Sequence, residues 1–314
     1  QHIVAQTQTD RRAPRKHAVS HAVPIYDQTY KPWDTQYRVR GRWLAVAAHE
    51  LRVARTSPIF RRLFLLSLLP FLICLFILVI TDLMTTNPSA LLREVVRRVQ
   101  YTNIDARFFK IYLMMTVPFV YVFCLLVGGG SICNDYRNNL LEVYFAKPLT
   151  RFEYFFFFLA AVCYMPLVLT IGGSLVLYML HLVAAPVGAR AFLSENLWVA
   201  GMCIAFSFFV VIPSALLVMA CSAMSRSTGW ASVIVCALIF LNAAGANMAA
   251  MILRDRDYTC FAYLRSVLHM SDLMFGGFTR IDVTWQTITA GIVLLSAICA
   301  GTVLWRIRSV DFAS

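Results

Sequence analysis

Apolar residues fall in six long runs, separated by short polar stretches. Leu63–Thr81, Ile111–Asn134, Tyr154–Ala189, Asn196–Ser225, Ser227–Leu253 and Val283–Trp305 contain no Asp, Glu, Lys or Arg, over 19 to 36 residues each. A helix rises about 1.5 Å per residue, so about 20 apolar residues cross a hydrocarbon core of about 30 Å. Helices of a soluble protein need a polar face and do not repeat such runs six times. The pattern predicts an all-α, polytopic membrane protein with spans at about 63–81, 111–133, 155–181, 198–223, 229–253 and 285–305.

Residues outside these runs divide into few pieces. Residues 1–38 are polar, broken by Pro14, Pro24 and Pro32, and lack the apolar core of a secretory signal. They are read as a polar tail. Within 39–62, Val39, Trp43, Leu44, Val46, Ala47, Leu51 and Ala54 share one side of a helical wheel, with Arg42, His49, Arg52 and Arg55 largely opposite. Arg40 and Glu50 interrupt the apolar stripe. This is the pattern of an amphipathic helix in the membrane interface, with an ordinary solvent-facing helix as the alternative. The remainder, 63–314, is the six-span domain.

Charge sets an orientation. With the N-terminus inside, the inside segments carry 18 Lys+Arg and the outside segments 10. Cytoplasmic segments usually hold the basic excess, so the expectation is N-in/C-in. The formal net charge of +12 is then a topology signal and an attraction to anionic lipid, not a nucleic-acid surface.

Chemistry is sparse. None of the four lysines is followed by Ser or Thr, so no Walker loop is present, and there is no HExxH. Nine cysteines include no CxxC pair and lie mostly in spans, where they act as small apolar residues. His17 and His21 have ligand spacing but stand in the polar tail, without a Cys nearby. No metal site and no catalytic residue is expected. Spans without formal charge argue against ion-coupled transport, so energy for any movement would come from another subunit.

The most distinctive segment is Cys133–Tyr154. Its middle, from about Asp135 to Phe145, reads as a short charged helix, with Asp135 near the positive helix end. Pro148 stops it, and Thr150 with Glu153 has capping-box spacing into the next helix. Such a helix at the membrane face suits docking of a cytoplasmic partner; the alternative is a loop whose charges only solvate it. Asp135, Leu141, Glu142, Pro148, Thr150, Arg151, Glu153 and Tyr154 together resemble the coupling helix of ABC-2-type transporter permeases. Asn139 and Leu140 depart from that family's Gly-Thr, and Phe155–Phe158 replaces its Gly-Lys. The basic helix before the first span is similar to the family's elbow helix. The turn Ser222–Gly229 and the tail Trp305–Phe312 also fit.

The resemblance implies a permease in a bacterial cytoplasmic membrane, paired with a second copy or a related permease. A separate ATPase subunit would bind ATP and Mg, and this chain would bind no cofactor. Asp135, Arg137, Glu142, Arg151 and Glu153 would meet the ATPase through charge-assisted hydrogen bonds, with Arg226 as a second contact. In the fifth span, Asn242, Gly245 and Asn247 are read as helix packing or dimer contact, or else as substrate lining. Residues 254–282 would hold a re-entrant or interfacial helix pair, or a simple external loop. Two further classes stay open: a membrane anchor for a cytoplasmic ATPase without transport, and an intramembrane lipid-modifying enzyme.

Overall fold

The structure, a computed structural model, describes residues 52, 56–86, 106–138, 150–184, 189–225, 227–277 and 283–308. All of them belong to the unit Gly41–Ser314. Of the expected interfacial helix over 39–62, all but residues 52 and 56–62 lies outside the described residues. So does most of the expected coupling helix.

The described residues form helices and no strand. In chain order they are α1 (Pro58–Ser67), α2 (Leu69–Thr86), α3 (Ala106–Arg137), α4 (Arg151–Leu167), α5 (Gly173–Ala184), α6 (Ala189–Met224), α7 (Thr228–Leu253), α8 (Tyr263–Phe275) and α9 (Trp285–Arg308). A π turn, Val168–Gly172, joins α4 to α5, and a 3-10 turn, Arg256–Phe261, precedes α8. Among the described residues six stretches are long and apolar enough to cross a membrane: Pro58–Thr81, Ala106–Arg137, Phe152–Val183, Asn196–Met224, Thr228–Leu253 and Trp285–Ile307. The chain is a multi-pass helical membrane protein.

The first span differs from expectation at its start. Helix begins at Pro58, not Leu63, because proline at the first turn gives up only an N–H that has no partner there. Arg61 and Arg62 are exposed on this helix. Helix geometry breaks at Leu68, whose N–H bonds back to Leu65 O at 3.2 Å. Pro70 lies two residues on and has no N–H to offer Leu66 O, so the ladder slips there.

The fourth span is the axis of the bundle. It packs against the second, third, fifth and sixth spans, and 67% of its apolar window is buried. The fifth span is the reverse, with 11% buried. Its exposed Phe240, Leu241, Met248 and Met251 suit contact with hydrocarbon. Spans two and four meet closely where Gly128 faces Val218: a Cβ there would stand 3.0 Å from Val218 Cγ1. Small residues permit such approach, and dispersion supplies the attraction that hydrophobicity cannot give inside lipid.

After the fifth span the chain doubles back. Arg254 takes the left-handed conformation (φ 54°) and ends α7. Asp255 then caps the 3-10 turn, accepting from Asp257 N–H at 3.0 Å. The turn descends beside α7 to Phe261, and α8 climbs away again. Gly276 (φ 72°) closes α8, with Gly277 N–H bonded to Asp272 O at 2.7 Å.

Candidate functional site

Two places gather polar side chains. The first is the end of the bundle that carries Asp135. The second is the apex of the doubled-back segment.

At the first place, α3 does not stop before Asp135. It runs to Arg137, so Asp135 lies in the last turn of a span rather than at the start of a separate helix. There the helix dipole is negative and a carboxylate needs other support. Tyr154, in the first turn of α4, supplies it by donating its hydroxyl to Asp135 Oδ2 at 2.8 Å. Both side chains are buried. Thr150 and Glu153 form the expected capping box: Thr150 N–H donates to Glu153 Oε2 at 2.8 Å, and Glu153 N–H donates to Thr150 Oγ1 at 3.3 Å. The Glu153 carboxylate is therefore turned onto its own helix start.

Further links close this end. Tyr136 donates its hydroxyl to Arg306 O, and the Arg306 guanidinium stands 5.1 Å above the Tyr136 ring. Ser222 bridges spans two and four, accepting from Cys133 N–H at 3.2 Å and donating to Gly129 O at 3.0 Å. Tyr136 and Ser222 carry no sequence signal for these roles, since both partners are main-chain groups remote in sequence. Arg137 is exposed. Arg151 opens α4. Glu142 and Arg226 lie outside the described residues.

At the second place, Asn242 is a clamp. Its Nδ2 donates to Phe261 O at 3.2 Å and its Oδ1 accepts from Tyr263 N–H at 2.7 Å. Both backbone groups sit where the 3-10 turn gives way to α8, so one amide satisfies a donor and an acceptor that neither helix can. Asn242 precedes Leu253 by eleven residues, which puts the apex about 16 Å below the end of α7. On a spanning α7 this depth is that of a re-entrant pair, one of the forms expected for 254–282. Non-helical backbone at that depth needs such partners, because no water supplies them. Tyr263 pins the apex from the other side. Its hydroxyl lies 3.0 Å from Ser214 Oγ and 3.4 Å from Val210 O, and its ring centroid is 6.0 Å from that of Tyr121. Pro213 has no N–H to give the nearby Phe209 carbonyl of the fourth span.

The three polar or small positions singled out in the fifth span therefore separate. Asn242 holds the re-entrant apex. Gly245 and Asn247 are exposed, and nothing stands within 4 Å of a Cβ built at Gly245, so none of the described helices packs closely there. At its far end α8 is tied by an ion pair between Lys110, near the start of α3, and Asp272. His269 is buried, with Nε2 3.2 Å from Val283 O.

Between the re-entrant pair and spans five and six lies an open cavity of about 720 Å³. Asp255 and Asp257 stand at its outer end, Asn242 lies part-way along it, and Ile239, Gly291 and Ile298 represent its apolar walls. Among the described residues no group of His, Cys, Asp and Glu could hold a metal ion. Set against known proteins, the chain matches no family model, no curated protein and no solved structure.

Proposed function

We propose that the chain is the permease subunit of an ABC transporter, lying N-in/C-in in a bacterial cytoplasmic membrane. A separate ATPase subunit supplies the energy, and a second copy or a related permease completes the pathway, which runs outward. One observation carries this reading beyond the motif: the segment 139–149 is bracketed by fixed points. The Asp135–Tyr154 bond ties its two flanking helices together, and Tyr136 with Arg306 ties in the sixth span. A push on this segment is delivered to spans two, three and six at once.

The roles of the charged residues divide accordingly. Glu142, Arg137 and Arg151 are the contacts with the ATPase, and Arg226 adds one from the turn between spans four and five. Asp135 is the anchor behind them, and Glu153 sets the start of α4. The spans carry no formal charge along their apolar runs, so the cargo is amphipathic or apolar.

The test is co-purification with a candidate ATPase from a neighbouring gene, wild type against Glu142→Lys, followed by ATPase assay. A stable complex that the variant loses or uncouples supports the permease. A wild-type chain that purifies alone, with an identical variant, removes it.

A further inference from the structure

The cavity between the re-entrant pair and spans five and six is ordered from end to end. Its charged groups, Asp255 and Asp257, are both carboxylates and both lie where α7 has just ended. Below them the walls are mainly apolar, with Asn242, Ser266 and Thr287 among the polar exceptions. On the sixth span the lining runs from Thr287 to Ile298, eleven residues or about 16 Å of helix. On the fifth span the lining residues are Leu238, Ile239 and Asn242, the last about 16 Å below Leu253. One leaflet of a hydrocarbon core about 30 Å thick is about 15 Å deep. The cavity is thus one leaflet long, with charge at the head-group end and apolar wall beneath.

An apolar space of this kind facing lipid has no water to fill it, and leaving it empty forfeits dispersion contacts along its whole lining. Its volume is in the range, about 300–1,000 Å³, of sites that hold a drug-sized molecule. The carboxylates select the head group. Arg254 and Arg256, both exposed, alternate with Asp255 and Asp257 along the chain. A head group bearing an amine and a phosphate meets both signs within one turn of backbone, whereas one bearing phosphate alone leaves the carboxylates unmatched.

We infer that this cavity is a binding site for one membrane phospholipid with an amine-bearing head group, one of its two acyl chains lying against spans five and six and its amine between Asp255 and Asp257. The site does not rest on the permease reading: it would exist in an anchor or an enzyme with this fold. It gives the re-entrant pair a lipid-facing wall that is completed only when the lipid is present.

The full chain, purified from nanodiscs containing equal phosphatidylethanolamine and phosphatidylglycerol, is examined by native mass spectrometry. The expected result is one phosphatidylethanolamine retained per chain in preference to phosphatidylglycerol. Asp255→Asn with Asp257→Asn keeps the cap on the 3-10 turn, since Asn caps as well as Asp, and lowers that retention at least about tenfold. Gly291→Phe fills the cavity from a position with nothing within 4 Å of its Cβ, and abolishes retention while helix content by circular dichroism is unchanged. Equal retention of the two lipids by the wild type overturns the head-group assignment. Wild-type retention by the Gly291→Phe chain overturns the site.

Discussion

A Cβ built on Gly173 would stand 1.9 Å from the Tyr112 hydroxyl oxygen, closer than any two non-bonded heavy atoms can come. That hydroxyl is held in place. It donates to Leu169 O at 2.7 Å, inside the π turn that interrupts the third span. A π turn widens the helix and leaves a carbonyl without its usual partner. Tyr112, fully buried on the second span, reaches across to satisfy it, and glycine at 173 leaves the room.

Gly173→Ala is therefore expected to destabilise the protein by about 1–3 kcal/mol, as overpacking does. Thermal unfolding in detergent measures it. Adding Tyr112→Phe removes the oxygen but leaves Cζ only 2.8 Å from the new methyl, so the double variant recovers part of the loss. A double variant that is the sum of the two singles would show that the residues do not meet.

Tyr154→Phe removes one hydrogen bond from a buried carboxylate and changes little else in volume. Hydrogen bonds to charged groups contribute about 1.5–3 kcal/mol, and a loss in that range is expected. Under the proposed function a second effect follows: α3 and α4 can shift separately, so ATP hydrolysis in the complex continues while coupling to transport falls. Unchanged stability and unchanged coupling together would show that Asp135 does not depend on Tyr154.

The six spans were legible because one quantity, the length of a charge-free run, decides whether a helix can cross. The capping box was legible because Thr150 and Glu153 are three residues apart and local. Three features escaped for a shared reason. A carboxylate favours a helix start, which is where sequence alone puts Asp135, but Tyr154 supports it at the opposite end. The π turn depends on Tyr112, more than fifty residues earlier. Asn242 announces a polar need inside a span, yet its partners lie about twenty residues on, in a stretch whose Asp255, Arg256, Asp257 and Arg265 make it look external. Local chemistry can be read along the chain, whereas long-range partners cannot.

Asn242→Leu keeps the size and removes both apex bonds. Phe261 O and Tyr263 N–H then lie unpaired beside hydrocarbon, and local opening becomes easier. Cys260 is a ready probe, buried one residue before Phe261. In a chain whose only cysteine is Cys260, maleimide labelling is expected to be slow with Asn242 and at least roughly tenfold faster with leucine. Equal rates would mean that the apex is held by Tyr263 alone.

Arg254 holds a backbone conformation (φ 54°) that costs a side-chain-bearing residue about 1–2 kcal/mol. Arg254→Gly relieves this, less the freedom glycine adds to the unfolded chain. The expected outcome is a gain of up to about 1 kcal/mol in thermal unfolding. Arg254→Val, β-branched at the same place, is expected to lose stability.

Lys110 and Asp272 fasten the end of α8 to the start of the second span, each side chain about a quarter exposed. Partial exposure limits what the pair contributes to roughly 1 kcal/mol. Its placement matters more, because it and Asn242 hold α8 at opposite ends. Lys110→Asp sets two carboxylates against each other and is expected to free that end of α8. Asp272→Lys does the same with two ammonium groups. The double reversal restores the attraction with its sign exchanged. It should recover both thermal stability and the slow labelling of Cys260, provided the pair acts through position and not through a surrounding field. If the double variant labels as fast as either single one, the ion pair does not fasten α8, and the Asn242 clamp with the Tyr263 contacts carries the re-entrant pair by itself.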